Sequence, residues 1–194
     1  MQTVEKTRNT LETQISLTLN PKGKGQYEIT TPIKFFSHML ELLCAHSNFD
    51  LKLNANSLDN DPHHLVEDTA ITIGEALKNS LGDKKGIKRY SSVILPMDEA
   101  LVLCAIDISG RPYCKIDVDI KEEKTSDFET VLLAHFFKSF ALSSGMTLHI
   151  KMIEGIDPHH IIECVFKACA RALREAISID IENSDKIPST KGQL

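Results

Sequence analysis

The sequence predicts an α+β protein made of two related halves, in which two sheets pack on a central layer of helices. One observation is a repeated segment, because residues 157–163 match residues 61–67 with five of seven residues identical. The other is the order of predicted elements, which is strand, strand, helix, strand, helix in each half. A repeat with a spacing of about one hundred residues indicates a duplicated half-domain and not a short-period solenoid. We therefore assign residues 1–90 to the first half and residues 91–194 to the second, which also carries a C-terminal tail.

The elements of the first half follow from the spacing of its apolar residues. Its predicted strands alternate apolar and polar side chains, and its predicted helices repeat apolar residues at helical spacing. The strands span residues 13–20, 26–31 and 49–55, and the helices run from Pro32 to His46 and from His63 to about Leu81. A turn at residues 21–25 predicts that the first two strands form a hairpin. Gly82 is placed to end the second helix.

The second half shows the same order after a basic segment at residues 84–90. The predicted strands span residues 100–108, 113–120 and 146–152, and the helices span residues 128–143 and 159 to about 177. A turn at residues 109–112 joins the first two strands. Each of the four helices has one apolar side to bury, so their faces are predicted to pack together.

The composition excludes several classes of protein. The chain has 194 residues and a net charge of −5, with 25% charged and 42% hydrophobic residues, as in an ordinary soluble protein. There is no basic tract, which argues against a nucleic-acid partner, and no apolar run long enough for a membrane span. The start of the chain lacks a signal-peptide core. The five cysteines include no CxxC pair, so we expect reduced cysteines in a cytoplasmic protein.

Six of the eight histidines form two matching sets. His38 precedes the pair at His63 by 25 positions, and His135 precedes the pair at His159 by 24. On a helix, Glu67 lies about 40° from His63 and about 60° from the next histidine, whereas adjacent histidines diverge by about 100°. Adjacent histidines therefore fit two different ions better than one.

The candidate metal ligands are six imidazoles and two carboxylates, which give four ligands to each of two ions. They are His38, His63, His64, Glu67, His135, His159, His160 and Glu163. Because no thiolate belongs to the set, it favours a divalent ion that prefers nitrogen and oxygen, such as Mn, Fe, Co or Zn. The alternative is a helix N-terminus at which the histidines and carboxylate only cap and pair.

A second group of residues suits an anionic substrate. Arg89, Arg111, Lys167 and Lys191 can bind phosphate, and the tail at residues 188–192 adds hydroxyl and backbone N–H groups. The alternative is that these are solvated surface charges, since spacing alone does not gather them into one pocket.

Glu12 and Glu99 are a weaker similarity between the two halves, because each precedes a predicted strand. Either residue could be a simple carboxylate that flanks a strand.

Taken together, the motifs resemble those of the imidazoleglycerol-phosphate dehydratase family, lyases of histidine biosynthesis. The resemblance runs from about Arg8 to Leu194. The segments that carry it are residues 8–13, 35–40, 63–68, 96–101, 109–113, 135–137, 159–163, 166–168 and 188–192.

The resemblance implies two Mn²⁺ ions per active site, held by the eight candidate ligands. It implies a small imidazole phosphate substrate and active sites shared between neighbouring copies in a homo-oligomer, a 24-subunit shell. The implied substrate contacts are Glu12, His46, Arg89, Arg111, Lys167, Ser189 and Lys191, of which the last five surround the phosphate. We predict Glu12, His64 and His160 as catalytic residues.

The expected reaction is loss of water from D-erythro-imidazole-glycerol 3-phosphate to give imidazole-acetol phosphate. Its difficulty is removal of a proton from a carbon with no adjacent carbonyl. Metal coordination to the imidazole ring can stabilise the negative charge that develops. Glu12 is the candidate for proton transfer.

Four positions depart from the family. Ser37 and Pro62 stand where the family usually has Asp, and Ser47 and Ser91 where it usually has Gly. None of them removes a ligand or a phosphate residue. Loss of the Asp beside His38 is expected to change metal affinity or rate before it changes the reaction.

Two other classes of function stay open at this point. One is a di-metal hydrolase acting on a small phosphorylated substrate, which phosphate release would reveal. The other is a non-catalytic assembly protein that uses metal only to hold subunits together. The basic residues argue against the second, because a purely structural metal site needs no phosphate cradle.

Overall fold

The structure, a computed structural model, describes residues 1–194 and contains two four-stranded sheets with four helices between them. The elements of the first half are β1 Val4–Asn9, β2 Thr13–Asn20, β3 Tyr27–Thr30, α1 Lys34–Ser47, β4 Asp50–Ser57 and α2 Pro62–Leu81. Those of the second half are β5 Tyr90–Met97, β6 Ala100–Asp107, β7 Tyr113–Asp117, β8 Lys124–Thr125, β9 Phe128–Glu129, α3 Leu132–Ser144, β10 Thr147–Glu154 and α4 Pro158–Ala176. No helix combines the length and apolar composition that a membrane crossing requires.

The two sheets have the same topology. The strand orders are β1-β2-β4-β3 and β5-β6-β10-β7, and in each sheet only the last pair of strands is parallel. Strands β8 and β9 form a small separate hairpin. The α+β class, the duplication and the two sheets are therefore confirmed.

The hairpin predicted for residues 13–20 and 26–31 is wrong. Strand β2 pairs with β1 on one side and with β4 on the other, so β3 pairs in parallel with the far edge of β4. The intervening turn is held by Asp50, whose carboxylate accepts hydrogen bonds from the backbone N–H groups of Lys24 and Gln26. These hydrogen bonds hold the segment between β2 and β3 against the first residue of β4.

Each four-stranded sheet contains one strand more than the sequence predicted, so the order in each half is strand, strand, strand, helix, strand, helix, with the β8–β9 hairpin added in the second half. Strand β1 was missed because its inward side chains include Lys6 and Arg8, which pair with Glu75 and Asp68 of α2 at 3.0 and 2.7 Å. Strand β5 was missed because Ile94, on its outward face, is exposed, so apolar residues lie on both faces.

The helix predicted at residues 128–143 begins later, at Leu132. Phe128 is fully buried and pairs with Thr125 in the small β8–β9 hairpin, which holds this segment extended. Strand β7 also ends earlier than predicted, at Asp117.

The helices of one half pack on the helices of the other. Helix α2 lies against the first sheet and α3, and α4 lies against the second sheet and α1. The buried apolar side chains of both halves form one continuous core. This arrangement places the first helix of each half beside the repeated motif of the other half.

Gly74 sets the close approach of α2 and α3. A Cβ atom at this position would lie 2.1 Å from Ser143 Oγ and 2.8 Å from Phe140 O. Gly74→Ala is therefore expected to lower the free energy of unfolding by about 1–3 kcal/mol, measured by urea denaturation. Adding Ser143→Gly should recover part of the loss, because the Phe140 carbonyl remains. Unchanged stability in Gly74→Ala would show that the helices separate freely here.

Candidate metal and substrate site

The repeated segments start two helices in the same way. Asp61 and Asp157 are the N-cap residues of α2 and α4, and their side chains accept hydrogen bonds from the backbone N–H groups of His63 and His159 at 2.8 and 2.7 Å. The next residue in each segment is a proline, which suits the first helical position. The cap and the proline fix where each His-His pair enters its helix.

The first candidate metal cluster lies between α1 and α4, and we call it the α1–α4 cluster: His38, His159 and Glu163. Glu163 Oε2 lies 3.2 Å from His159 Nε2 and 3.8 Å from His38 Nε2. Burial opposes ionisation of Glu163, but a 2.5 Å hydrogen bond from Lys167 outweighs it and lowers the pKa of Glu163. The carboxylate is therefore ionised and available as a ligand.

The second candidate cluster lies between α2 and α3, and we call it the α2–α3 cluster: His63, Glu67 and His135. His63 Nε2 is 3.3 Å from Glu67 Oε2, and the rings of His63 and His135 have centroids 4.3 Å apart. Ser139 donates a hydrogen bond to Glu67 at 3.4 Å. Each cluster thus offers two imidazoles and one carboxylate.

Each cluster draws on both halves of the chain. His38 of the first half joins the second copy of the motif, and His135 of the second half joins the first copy. The matched upstream spacings identified both histidines as candidates. They did not show this exchange, because it depends on which helices pack together.

The second histidine of each pair lies outside the clusters. His63 contacts Glu67 whereas His64 contacts Asp59, and His159 contacts Glu163 whereas His160 contacts Glu99. The two histidines of each pair therefore diverge, as the helical spacing predicts. His64 faces Asp59 through a hydrogen bond, which raises the pKa of His64.

His160 is placed similarly in the second half. Its Nδ1 is 2.8 Å from Glu99 Oε2, and this hydrogen bond raises the pKa of His160. The sequence marks Glu99 only as the counterpart of Glu12, and it assigns no role to Asp59. A search of the sequence for carboxylates beside the motif could have found Asp59 in the preceding loop.

Glu12 lies beside His64 at the surface. Its carboxylate is half-exposed, and Oε2 is 3.8 Å from His64 Nδ1. Glu12, Asp59 and His64 are the group of acidic and histidine residues whose possible ligand atoms all lie within 4.8 Å of one another. Asp59 already accepts hydrogen bonds in this group, whereas Glu12 is the carboxylate left open to solvent.

Part of the predicted phosphate set lies around Arg89. Its Nε donates to Asp107 at 2.7 Å, and its Nη1 donates to the carbonyl of Pro188 at 2.8 Å. The second contact anchors the tail that carries Ser189 and Lys191. Arg111 Nη2 is 3.9 Å from the same Asp107.

Lys84 is a further cation near Arg89 that sequence reasoning missed. It is only 7% exposed, and its Nζ lies 3.3 Å from the position that a Cβ on Gly110 would take. Burial, with the positive charges of Lys78 and Arg89, lowers the pKa of Lys84. The adjacent residue, Lys85, is also a lysine in the same basic segment, so the sequence does not indicate which of the two is buried.

Lys167 lies apart from the Arg89 group. It lines a surface pocket with His46 and Arg171. Burial, together with the positive charges of Lys167 and Arg171, lowers the pKa of His46. The backbone N–H of Arg89 donates to the carbonyl of Ala176. Ala176 follows Lys167 by nine residues on α4, so the backbones of Arg89 and Lys167 are about 13 Å apart along the helix axis. One chain does not bring the predicted phosphate residues together.

Comparison with known proteins identifies the family. A sequence model described as imidazoleglycerol-phosphate dehydratase matches residues 31–173. The chain belongs to this family. The imidazoleglycerol-phosphate dehydratase of Lactococcus lactis subsp. cremoris (strain SK11) is 51% identical over 199 residues, covering 100% of this chain and 98% of the relative. That of Caldanaerobacter subterraneus subsp. tengcongensis is 50% identical over 195 residues, covering 100% of both chains.

Two solved structures of imidazoleglycerol-phosphate dehydratases share the fold. The enzyme from Staphylococcus aureus subsp. aureus N315 has a TM-score of 0.84 at 35% identity, covering 92% of this chain and 99% of the other. The enzyme from Pyrococcus furiosus, solved in complex with (S)-C348, has a TM-score of 0.84 at 36% identity, covering 97% and 100%. The resemblance drawn from the motifs is confirmed, and the di-metal hydrolase is not favoured.

Two departures from the imidazoleglycerol-phosphate dehydratase family pattern have local explanations. The Ser37 hydroxyl lies 2.9 Å from that of Thr31, so this side chain is engaged away from His38. The Ser47 hydroxyl accepts a hydrogen bond from the N–H of Phe49, where α1 ends at the left-handed residue Asn48. Ser47 therefore stabilises the end of the helix that carries His38.

Proposed function

We propose that the chain dehydrates D-erythro-imidazole-glycerol 3-phosphate to imidazole-acetol phosphate with two Mn²⁺ ions per active site. The dehydratase reaction is that of the family; the metal, the site residues and the assembly are our proposal. The observation that carries it is the pair of three-ligand clusters, each next to a partly exposed histidine that lies outside it, His64 or His160, which we call the outward histidines. The clusters would hold the metal, and the outward histidines would complete the clusters of neighbouring copies.

The donor atoms of both clusters fit Mn²⁺. Each cluster offers imidazole nitrogen and carboxylate oxygen and no sulfur, which suits Mn²⁺ among other divalent ions. The nitrogen–oxygen separations of 3.2 Å in the α1–α4 cluster and 3.3 Å in the α2–α3 cluster fit adjacent ligands of one ion. Metal–ligand bonds of about 2.1 Å place such atoms roughly 3 Å apart.

The positions of His64 and His160 support sites shared between copies. Neither side chain contributes to either of the two clusters of its own chain, and both are about one-third exposed, at 35% and 31%. The clustered histidines are more exposed, at 47% for His38 and 42% for His159, so each cluster is itself open to a neighbouring chain. A neighbouring chain that supplied one of them would raise each cluster from three protein ligands to four. The separation of Lys167 from Arg89 leads to the same inference for the phosphate residues.

The outward faces of the two sheets support a homo-oligomer. On the second sheet, Tyr90 and Ile94 are 57% and 61% exposed, beside half-buried Leu101 and Leu103. The equivalent face of β1 and β2 in the first sheet is polar. An apolar face on one sheet alone suits contact with another protein surface. We propose that the partner is a copy of this chain, within an assembly of 24 subunits.

In this proposal Glu12, His64 and His160 are the catalytic residues. The chemistry that Mn²⁺ supplies when bound is Lewis-acid stabilisation of the negative charge that develops on the substrate ring. His64 and His160 present nitrogen ligands from the chain surface. The half-exposed Glu12 carboxylate lies beside His64, where it can accept the proton.

The remaining substrate contacts hold the phosphate end of the substrate. Arg89 and Arg111 offer planar guanidinium donors, and Ser189 and Lys191 lie on the tail that Arg89 anchors. Lys167 and His46 add contacts from another chain. Binding the phosphate away from the reacting carbon aligns the substrate for proton removal.

The test is metal content together with dehydration, on metal-free protein and after Mn²⁺ addition. We expect about two Mn²⁺ per chain, one for each cluster, and product formation that depends on Mn²⁺. Phosphate release is measured in parallel. Bound metal without product would overturn the substrate, and absence of bound metal would overturn the site.

A further inference from the structure

The outward histidine of the first half is held by Asp59. Asp59 Oδ2 is 2.7 Å from His64 Nδ1, and Asp59 Oδ1 accepts hydrogen bonds from the backbone N–H of Asp61 at 3.0 Å and from Ser57 Oγ at 3.0 Å. A single carboxylate thus joins the ring nitrogen to the N-cap residue of α2. The other nearby acids, Glu12 and Asp61, are both 3.8 Å from His64 Nδ1 and beyond hydrogen-bond distance.

The outward histidine of the second half is held in the same way by a residue from a different place. Glu99 Oε2 is 2.8 Å from His160 Nδ1, and Glu99 Oε1 accepts from the backbone N–H of Asp157 at 2.8 Å and more weakly from that of Ile156 at 3.4 Å. Asp98 Oδ2 lies 3.7 Å from His160 Nε2, beyond hydrogen-bond distance. The carboxylate again joins ring and N-cap.

The loop before each helix explains why the residues differ. Asp59 precedes its N-cap residue by two positions, and the residue two positions before Asp157 is Gly155. A Cβ on Gly155 would lie 2.6 Å from Ile161 Cγ1, so the packed structure leaves no room for a side chain there. Glu99 reaches in from the β5–β6 turn instead.

Glu12 occupies the corresponding β1–β2 turn in the first half. Because Asp59 already holds His64, the Glu12 carboxylate is left without a hydrogen bond to that ring, and half of it is exposed. The two equivalent glutamates have therefore taken different roles. One fixes a histidine, and the other is free to act on a substrate.

We propose that Asp59 and Glu99 are positioning residues that keep the proton of His64 and His160 on Nδ1 and present Nε2 as the metal ligand. A carboxylate that accepts from Nδ1–H leaves the Nε2 lone pair free, and such partners orient metal-binding histidines. This inference rests on the proposed function, in which both histidines bind metal. It also explains why Glu12 alone remains available for proton transfer.

Amide variants of the same shape test the inference. In Asp59→Asn or Glu99→Gln, the amide oxygen is retained by the backbone N–H of the N-cap residue, so the NH₂ group faces the ring. That group donates to Nδ1 and forces the proton to Nε2. We expect Mn²⁺ affinity to fall by about 10–100-fold, measured by titration with free Mn²⁺ followed by electron paramagnetic resonance.

The ring proton is observed directly in metal-free protein. At a pH above the raised pKa of His64 and His160, solid-state NMR of ¹⁵N-histidine-labelled protein separates the two neutral tautomers, and one histidine is expected to change tautomer in each variant. Wild-type tautomers and wild-type Mn²⁺ affinity in both variants would overturn the inference. If wild-type protein itself bound no Mn²⁺, the proposed function would fall, while the tautomer result would still decide the positioning role.

Two further variants serve as controls. Glu12→Gln changes a carboxylate that makes no hydrogen bond to His64, so Mn²⁺ affinity and tautomers should stay as in wild type while kcat falls. Glu28→Gln changes an exposed carboxylate that pairs with Lys52 on the polar sheet face, and it should alter neither property. Loss of Mn²⁺ affinity in Glu12→Gln equal to that in Asp59→Asn would contradict the division of roles.

Discussion

Replacing Glu163 by glutamine is expected to remove the metal of the α1–α4 cluster and to abolish most dehydratase activity. Glu163 is the one carboxylate of this cluster and lies within 3.8 Å of both histidines. An amide is a poorer ligand for a divalent ion, and a bound metal supplies several kcal/mol of charge stabilisation. Loss of about 4 kcal/mol corresponds to a fall in kcat of about 1,000-fold.

Metal analysis and kcat measured on the same sample check this expectation. Bound Mn²⁺ should fall by half, because the α2–α3 cluster keeps its own carboxylate, Glu67. Glu175→Gln is the matched control, since Glu175 lies on the same helix and pairs with Lys88 at 2.5 Å far from the histidines. Full metal content with normal turnover in Glu163→Gln would exclude Glu163 as a ligand.

Co-expression of two inactive variants, His64→Ala and Glu163→Gln, is expected to restore activity. If His64 completes the cluster of a neighbouring chain, some sites in a mixed assembly combine an intact cluster from one variant with an intact histidine from the other. When equal amounts of the two variants assemble at random, about one quarter of the sites contain an intact Glu163 from one chain and an intact His64 from its neighbour. The expected activity is therefore about one quarter of that of wild type.

A second mixture controls for unspecific rescue. Glu163→Gln and His159→Ala both damage the same cluster of one chain, so mixing them restores no site. Light scattering establishes that both mixtures form assemblies of wild-type mass. If the first mixture stays inactive although both variants assemble together, the two residues do not meet across a subunit contact.

The sequence was sufficient for features that depend on local spacing. Alternation predicted β2 with its correct bounds, and the helices predicted to start at His63 and His159 begin one residue earlier, at Pro62 and Pro158. Helix geometry also predicted that adjacent histidines diverge, and in each pair the two rings have different partners. These properties are set within a few residues of chain.

Features that depend on packing were beyond the sequence. Strand β1 could not be recognised from alternation because its inward side chains include the charged Lys6 and Arg8. These two residues are paired only when α2 packs on the sheet. The role of Glu99 depends on the turn of one sheet reaching the start of α4. No spacing along the chain records that approach.

The exchange of helices between the halves bears on how such a site could arise. Neither half alone contains a complete cluster, because His38 and His135 each serve the motif of the other half. Two separate copies of an ancestral half, related by two-fold symmetry, would form both clusters in the same way. Gene fusion of such a dimer preserves the geometry while freeing each copy to mutate independently. The use of Asp59 in one half and Glu99 in the other to hold equivalent histidines is a difference of the kind that such independent mutation produces.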